Sequence, residues 1–220
     1  MMKINLRYPN KSHRKKIKFP NESTDLAELM GIEFGDGGIG NPWQMVITMN
    51  AEKDLEYAYY IKKLIYKLFC VNPAIRIRKE KALLIVSSST SLVDFLVRKG
   101  AVRGNKIKQC FDIPAWVLNK DAYKKAFVRG LVDTDGCLYI HRHTIKNIPY
   151  KNIGFCFTSS SRNLLNSVAD IFQYFEIKPH ITDKGRRIYL YGKDSVIKYL
   201  RIFRSVNPRI TELYKTWRGA

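Results

Sequence analysis

The chain has 220 residues, of which 45% are hydrophobic and 26% charged, a balance typical of a protein that folds around a core. Thirty-nine Lys and Arg residues stand against nineteen Asp and Glu residues, which leaves a formal net charge of +20. Because such an excess repels itself in a compact protein, it favours a polyanionic partner, and nucleic acid is the obvious candidate. No apolar run approaches the roughly 20 residues that span a bilayer, and the N-terminus lacks the apolar core of a signal peptide.

The first twenty residues carry seven Lys or Arg and no acid, a composition that suits a transit peptide or a basic arm lying along DNA. The four cysteines form no C-x-x-C pair and are scattered at Cys70, Cys110, Cys137 and Cys156. We therefore expect neither a zinc site nor a disulfide framework, but the reduced thiols of an intracellular protein. The cytoplasm, the nucleoid and an organelle matrix are equally compatible with this pattern.

The first half of the chain reads as helix, two strands, helix, two strands, helix. A helix is predicted over residues 24–36 and an alternating strand over 43–49, where Met45, Ile47 and Met49 share one face. An amphipathic helix over 54–69, a hairpin over 74–87 and a helix over 92–99 follow in that order. The segment 100–120, which contains Gly100, Gly104 and Pro114, fits neither half and is the predicted linker.

The second half repeats this order. Helices are predicted over residues 123–135, 162–175 and 195–203, a strand over 154–158 with Phe155 and Phe157 inward, and a hairpin over 180–191. Seven additional residues lie between the Asp-Gly pair and the second helix, so we predict a longer first hairpin with a turn at Asn147 and Pro149. Asp121 is expected to cap the helix that follows the linker.

Three local similarities indicate a duplication. Residues 35–37 parallel 134–136, residues 69–75 parallel 175–181, and residues 91–96 parallel 195–200, all in the same order. One such match could arise by chance, but three in order indicate two related halves. We predict a basic arm over residues 1–23, a first repeat over 24–99, a linker over 100–120 and a second repeat over 121–220. The fold class is α+β, with two pseudo-symmetric αββαββα repeats.

Small residues stand four apart near the end of each repeat's first helix. They are Gly31 and Gly35 in the first repeat and Gly130 and Thr134 in the second. Residues at this spacing share one helix face, and a glycine inside a helix costs about 1 kcal/mol against alanine, so the placement indicates close packing. We predict that the two helices pack on each other through these stripes, at a pseudo-twofold interface.

Asp36 and Asp135 would then lie side by side at the C-terminal ends of the paired helices, each before a glycine suited to a left-handed cap. This end already carries partial negative charge, so two carboxylates there oppose each other and the helix dipoles. A hard divalent cation, Mg2+ foremost, would resolve the conflict with the carboxylates and the carbonyls of Gly35 and Thr134 as ligands. Beside a phosphate, such acids provide the parts for hydrolysis. The alternative is that each Asp-Gly pair merely ends a helix, but two pairs at matching places disfavour it.

The sequence F-V-R-G-L-V-D-T-D-G at residues 127–136 resembles the motif of the monomeric, two-repeat LAGLIDADG homing endonucleases. Residues 113–116 also resemble the interdomain segment of that family. The first copy departs from the motif, because Glu33 and Phe34 replace the usual apolar residue and Asp. We expect Glu33 to point aside from the interhelix face. Phe34 should cost little, because the catalytic acid of the family aligns with Asp36 and Asp135.

The resemblance implies a monomer that makes a Mg2+-dependent double-strand break in a long DNA target. Mn2+ is expected to substitute, and Ca2+ to support binding better than cleavage. The family's fold implies two four-stranded antiparallel saddles along the major groove. The basic residue that the family places near each scissile phosphate matches Lys106 in the first repeat and Arg209 in the second. Their expected catalytic role is to stabilise transition-state charge.

Within such saddles, side chains beside the core-facing ones would point to DNA. In the first repeat these are Gln44, Val46, Thr48, Arg76 and Arg78, and in the second Tyr139, His141, His143, Cys156, Thr158, His180, Arg187 and Tyr189. Arg76 and Arg78 are the strongest candidates because guanidinium groups suit guanine edges and phosphates. His141 and His143 share a face, but zinc needs at least three protein ligands, so DNA contact is favoured. A solvated strand face remains the alternative for this set.

Two other functional interpretations stay open. A binding protein on the same scaffold, either a maturase for its own intron RNA or a DNA-binding regulator, needs the basic saddle but not both acids. Retention of Asp36 and Asp135 favours the nuclease, although a maturase can keep both. A basic interaction domain with coincidental Asp-Gly turns would leave the duplication unexplained.

Overall fold

A computed structural model describes residues 17–182 and 184–219, so most of the expected basic arm, residues 1–16, lies outside the described residues. The first half contains α1 (Thr24–Phe34), β1 (Gly37–Asn41), β2 (Gln44–Asn50), α2 (Leu55–Phe69), β3 (Ala74–Ile77), β4 (Ala82–Ser88) and α3 (Thr90–Arg98). The second contains α4 (Asp121–Asp135), β5 (Gly136–Ile145), β6 (Ile148–Thr158), α5 (Arg162–Tyr174), β7 (His180–Thr182), β8 (Arg187–Leu190), α6 (Lys193–Phe203) and α7 (Pro208–Arg218). Two short 3-10 helices, Lys106–Lys108 and Ala115–Asn119, lie between the halves.

The strands form two four-stranded antiparallel sheets, ordered β1-β2-β4-β3 and β5-β6-β8-β7. The predicted α+β class with two αββαββα repeats is confirmed. In each sheet one face carries the apolar residues of the core: Ile47 pairs with Ile85 in the first, and Phe157 with Ile188 in the second, and all four are buried. The other face of each sheet is thereby left for solvent or a ligand.

The first hairpin of the second repeat is long, as predicted. β5 and β6 pair without interruption from Gly136 and Phe157 to Ile145 and Ile148. Lys146 and Asn147 both have positive φ (49° and 65°), which is the geometry of a two-residue hairpin turn. The expected turn at Pro149 is wrong, since Pro149 lies within β6.

Asp121 does not cap α4. The helix begins at Asp121, so the cap position falls on Lys120, and no side chain there bonds the helix N-terminus. The Asp121 carboxylate instead accepts a hydrogen bond from Lys124 Nζ at 3.1 Å. Its negative charge in the first turn still interacts favourably with the positive end of the helix dipole.

α1 and α4 run parallel and pack backbone against backbone. A Cβ on Gly31 would overlap the carbonyl oxygen of Phe127, and a Cβ on Gly130 would overlap the carbonyl oxygen of Glu28. Gly35 approaches α4 just as closely. The prediction that the two small-residue stripes pack on each other is therefore confirmed, and it brings the C-terminal ends of both helices to one place.

A buried ion pair crosses the same interface beside Gly130. Glu28 on α1 is 1% exposed, and its carboxylate accepts hydrogen bonds from Arg129 Nη2 on α4 and from the Tyr60 hydroxyl at 2.9 Å. A buried charge persists where it is paired and hydrogen-bonded, which is the case for Glu28. The pair is heterotypic, because each helix contributes a charge of one sign.

α7 was not predicted. Asn207 caps it, with its Oδ1 accepting from the backbone N–H of Arg209 at 2.9 Å, and Pro208 stands in its first turn. The helix is attached to the second repeat through buried Ile210 and through Trp217, whose indole N–H donates to the carbonyl of Lys151 at 3.1 Å. Among the described residues, no helix is both long and apolar enough to cross a membrane.

Candidate active site and nucleic-acid interface

Each Asp-Gly pair joins a helix directly to a strand. α1 ends just before Gly35, and β1 begins at Gly37, while α4 ends at Asp135 and β5 begins at Gly136. The predicted left-handed caps are wrong, since neither Gly37 nor Gly136 has a positive φ. Glycine is required because the chain turns back closely: a Cβ on Gly37 would stand 2.5 Å from Glu33 Cα.

The structure brings Asp36 and Asp135 together. A Cβ on Gly35 would lie 3.4 Å from Cγ of Asp135, so the two helix ends touch. Burial and the charge of Asp36 raise the pKa of Asp135 to about 7, although Asp135 keeps an exposed side. Burial and the charge of Asp54 raise the pKa of Asp36 to about 6, against the lowering effect of Arg209 and Lys106.

Neither carboxylate has a hydrogen-bond or ion-pair partner in the described part of the chain. The cations nearest to them are engaged elsewhere. Lys106 Nζ donates to the carbonyls of Glu33 at 2.8 Å, Phe34 at 3.0 Å and Gly35 at 2.9 Å, the last carbonyls of α1. An ammonium group at this position offsets the partial negative charge of the helix end. Burial lowers the pKa of Lys106, while the nearby acids raise it.

Arg209 binds the C-terminal carbonyls of α4, as Lys106 binds those of α1. Its Nη2 lies 3.4, 3.2 and 3.2 Å from the carbonyls of Asp133, Thr134 and Gly136. The two basic residues therefore occupy corresponding places in the two repeats. The carbonyl oxygens predicted as metal ligands, those of Gly35 and Thr134, are among these acceptors; each has a second lone pair.

Asp54, which we did not predict, links the two repeats at this site. Asp54 immediately precedes α2 and is buried. Its Oδ1 lies 3.3 Å from Asn207 Nδ2 and 3.7 Å from Arg209 Nε. Its other oxygen accepts from the backbone N–H of Asn50 at 3.3 Å. The first repeat thus holds the basic residue of the second. The sequence carries no signal for this contact, because the partners are 153 residues apart.

Asp133 fixes the segment that leads to Arg209. Its carboxylate accepts from the Ser205 hydroxyl at 2.5 Å and from the backbone N–H groups of Val206 at 2.9 Å and Asn207 at 3.3 Å. Burial raises the pKa of Asp133 to about 7, and these hydrogen bonds lower it.

Phe34 stands where the first repeat would carry the matching acid. Its ring packs edge-on against Phe111 and Phe127, with centroids 5.6 and 5.3 Å apart. Phe111 belongs to the segment after α3, as Ser205 belongs to the segment after α6. Ring contacts therefore hold the segment after α3 in the first repeat, whereas hydrogen bonds hold the corresponding segment after α6 in the second.

Glu33 lies off the stripe of α1 that contacts α4, which contains Gly31 and Gly35, but its side chain is buried. It is 0% exposed, and neither of its side-chain oxygens has a hydrogen-bond partner among the described residues. Burial raises its pKa to about 7, and Lys106 lowers it. The carboxyl is retained inside because α1 is enclosed on all sides at this level, with Phe34 and Ile32 also buried.

The outer face of the first sheet carries the predicted residues of β2 and β3. Thr48 and Arg76 both lie opposite Leu84 on β4, and Thr48 and Arg76 are exposed. Gln44 and Val46 share this face and are half-buried. Arg78 lies one residue beyond β3, in the turn to β4, where its backbone N–H donates to the carbonyl of Ala82 at 2.8 Å.

The outer face of the second sheet is rich in rings. Cross-strand pairing places Cys156 opposite Tyr189, Thr158 opposite Arg187, and His180 opposite Tyr189. Tyr139, His141 and His143 alternate along β5, and the two histidine rings stack with centroids 5.1 Å apart. Tyr150 and Tyr191, which alternation alone did not select, extend this face by stacking on His143 and Tyr189. The predicted residues thus share one face, which encloses a cleft of about 390 Å³ beside Tyr139 and Tyr191.

Comparison with known proteins supports the fold. Residues 122–207 match a family described as a LAGLIDADG-like domain. No curated protein matches the chain. Among solved structures, mesophilic variants of the homing endonuclease I-DmoI are similar, with a TM-score of 0.54 and 20% identity over 83% of this chain and 96% of theirs. I-SmaMI bound to an uncleaved DNA target in the presence of calcium ions gives a TM-score of 0.60 and 12% identity over 88% and 89%. The I-LtrWI LAGLIDADG homing endonuclease bound to target DNA gives 0.59 and 10% over 90% of each chain.

Proposed function

We propose that this chain, which has the two-repeat LAGLIDADG homing endonuclease fold, is a site-specific DNA endonuclease that breaks both strands of a long target. One observation carries the proposal. Asp36 and Asp135, one from each repeat, meet at the ends of two parallel helices with no partner of their own in the described chain, between Lys106 and Arg209. An endonuclease that cuts two strands needs two such acidic positions.

The two sheets supply the surface for the DNA. The outer face of the first sheet presents polar and arginine side chains, that of the second adds aromatic rings, and the chain carries a net charge of +20. The solved relatives I-SmaMI and I-LtrWI were crystallised with DNA, which supports a DNA partner. We expect Arg76 on the first sheet and Arg187 on the second to contact base edges or phosphates, since both lie on strands of the two sheets.

The acidic pair fits a hard divalent cation. The available donors are carboxylate and carbonyl oxygens, which Mg2+, Mn2+ and Ca2+ accept. Burial and the charge of Asp36 raise the pKa of Asp135, and a cation beside the pair would oppose both effects. Asp36 and Asp135 would hold Mg2+, with the carbonyls of Gly35 and Thr134 as further ligands. When bound, such an ion supplies an acidified water and neutralises developing charge on the phosphate.

The surrounding residues position this pair and add positive charge. Lys106 and Arg209 bind the carbonyls at the two helix ends and bring a cation to each side of the site. Asp54 and Asp133 hold Arg209 and its segment in place. A phosphate that entered here would meet two acids through the metal and two basic groups directly.

The test is cleavage of a plasmid library with Mg2+, followed by sequencing of linearised products. The wild type should cut a rare site, whereas Asp36→Asn and Asp135→Asn should bind that site in a mobility-shift assay without cutting it. Ca2+ should preserve binding and slow cleavage, and Mn2+ should restore it.

Asp170→Asn is the matched control, because Asp170 is an exposed acid on α5. It should cut at the wild-type rate. If Asp36→Asn and Asp135→Asn also cut at that rate, the assignment of the acids is wrong. If the wild type binds a site but never cuts it, the chain is a binding protein on this scaffold.

A further inference from the structure

A second basic site lies at the opposite end of α1 and α4 from the acids. A cleft of about 440 Å³ opens there, and four of its lining residues are cationic: Lys125, Arg129, Arg201 and Arg204. Among the described residues, no acid lines it. Thr24, the first residue of α1, and Ala122, the second residue of α4, contribute to its wall.

The cleft runs from the N-terminal ends of α1 and α4 down to Arg129, which stands six residues before Asp135. α4 has 15 residues, and at 1.5 Å per residue it separates the two ends by about 22 Å. Because α1 and α4 are parallel, the positive ends of both helix dipoles point toward the cleft, whereas their negative ends face the acids. The molecule therefore has two electrostatically distinct poles.

The cationic groups of the cleft are largely uncompensated. Within residues 17–182 and 184–219, Arg201 and Arg204 form no ion pair, and both are exposed. Lys125 Nζ lies 4.8 Å from the centre of the Phe175 ring and forms no salt bridge in that range, although it interacts electrostatically with Asp121. Only Arg129 is neutralised, through Glu28. The nearby acids Asp25 and Asp121 are paired with lysines outside the cleft.

In the first repeat the corresponding place is filled. Lys99 and Gly100 are the two residues that follow α3. Their counterparts in the second repeat are Phe203, the last residue of α6, and Arg204, which follows it. There the linker closes over the chain: the Trp116 indole N–H donates to the carbonyl of Lys99 at 2.9 Å, and a Cβ on Gly100 would stand 2.8 Å from Pro114 Cγ. Lys99 is also neutralised by Glu22 at 2.7 Å. The described chain covers this groove in one repeat and leaves it open and basic in the other.

We propose that this basic cleft binds the phosphodiester backbone of a second nucleic-acid segment, distinct from the DNA on the saddles. Arginine pairs with phosphate oxygens through two parallel hydrogen bonds, and helix N-termini favour anions. The aromatic ring of the cleft, Phe203, is 1% exposed and cannot stack on a base. Recognition is therefore of the backbone and independent of sequence.

The test measures binding of two fluorescent probes by anisotropy: a 20-nucleotide single strand of mixed sequence, as RNA and as DNA, and a 30-bp duplex. The cleft variant Arg201→Ala/Arg204→Ala should bind the single strand at least tenfold more weakly near 0.1 M salt. Loss of two phosphate contacts should lower the slope of log K against log salt by about 1.4. Its affinity for the duplex and its melting temperature should stay close to those of the wild type.

Two further variants complete the design. Lys63→Ala/Lys178→Ala removes the same charge from exposed positions outside the cleft and should leave single-strand binding nearly unchanged. Arg76→Ala/Arg78→Ala on the first saddle should weaken the duplex more than the single strand. The proposal would be overturned if the cleft variant and the charge-matched variant lost the same affinity for the single strand. It would also be overturned if single-strand binding required the saddle arginines Arg76 and Arg78 and not those of the cleft. Equal behaviour of RNA and DNA supports backbone recognition, and a preference for RNA adds the 2′-hydroxyl to it.

Discussion

Replacement of Glu33 by Gln should stabilise the protein at alkaline pH and leave its stability unchanged in acid. Glu33 is 0% exposed, and its carboxyl has no hydrogen-bond partner among the described residues. Gln has nearly the same shape as the protonated acid and never ionises. The variant therefore separates the cost of the charge from the cost of burying a polar group.

The magnitude follows from the pKa. Burial raises the pKa of Glu33 from 4.5 to about 7, which corresponds to about 3 kcal/mol between the protonated and ionised forms. A carboxyl whose pKa is raised on folding contributes stability that is fully present below its unfolded pKa and is lost as pH rises through its folded pKa. The wild type should therefore lose up to about 3 kcal/mol between pH 4.5 and about 7 through this residue, and Glu33→Gln should not.

Thermal unfolding of both proteins at pH 5 and pH 8.5 with EDTA measures the effect. At 2–4 °C per kcal/mol for a chain of this size, the variant should melt about 6–12 °C above the wild type at pH 8.5 and close to it at pH 5. Glu56→Gln, at an exposed position on α2, is the control and should track the wild type at both pH values. A variant that melts at or below the wild type at pH 8.5 would refute the reasoning, since Glu33 would then have a partner that stabilises its charge.

Three other substitutions test the interface and the site. Gly31→Ala should cost about 3 kcal/mol or more, because its Cβ would overlap the carbonyl oxygen of Phe127, whereas Gly40→Ala, which meets open space, should be nearly neutral; thermal melting compares them. Lys106→Met should slow single-turnover cleavage by about 10²-fold, since the end of α1 loses its cation, and Lys106→Arg should recover part of the rate. Asp54→Asn should slow cleavage and lower the pKa of Asp36, so its pH–rate profile should start at lower pH; an unshifted profile would contradict their proximity.

The fold could be predicted from local sequence patterns. Small residues four apart on two helices indicated backbone contact, and the structure places Gly31 and Gly130 against opposing carbonyls. Strand alternation found the core faces, because the two-residue period of a strand is fixed by its geometry. α7 could have been found too, since Asn207 followed by Pro208 is a helix-start signal.

The contacts that complete the site could not be predicted in the same way. The carboxylate of Asp54 reaches Asn207 and Arg209 only because the two repeats are packed together, and no periodicity encodes that approach. The burial of Glu33 likewise depends on what encloses α1 and not on the residues beside it in sequence. Glycine at Gly136 was predicted for a positive φ, but it serves the close return of β5 onto Val132.

The ion pair between Glu28 and Arg129 makes the two repeats non-interchangeable. If two copies of the second repeat met through α4, each Arg129 would face Phe127 of the other copy where Glu28 now lies, and a cation would be buried without a partner. Two copies of the first repeat would instead bury each Glu28 against Met30 of the other copy, without its cation. The charges thus select the pairing of unlike halves within one chain, so chimaeras that exchange a single repeat should fold well only when this pair is carried along or rebuilt.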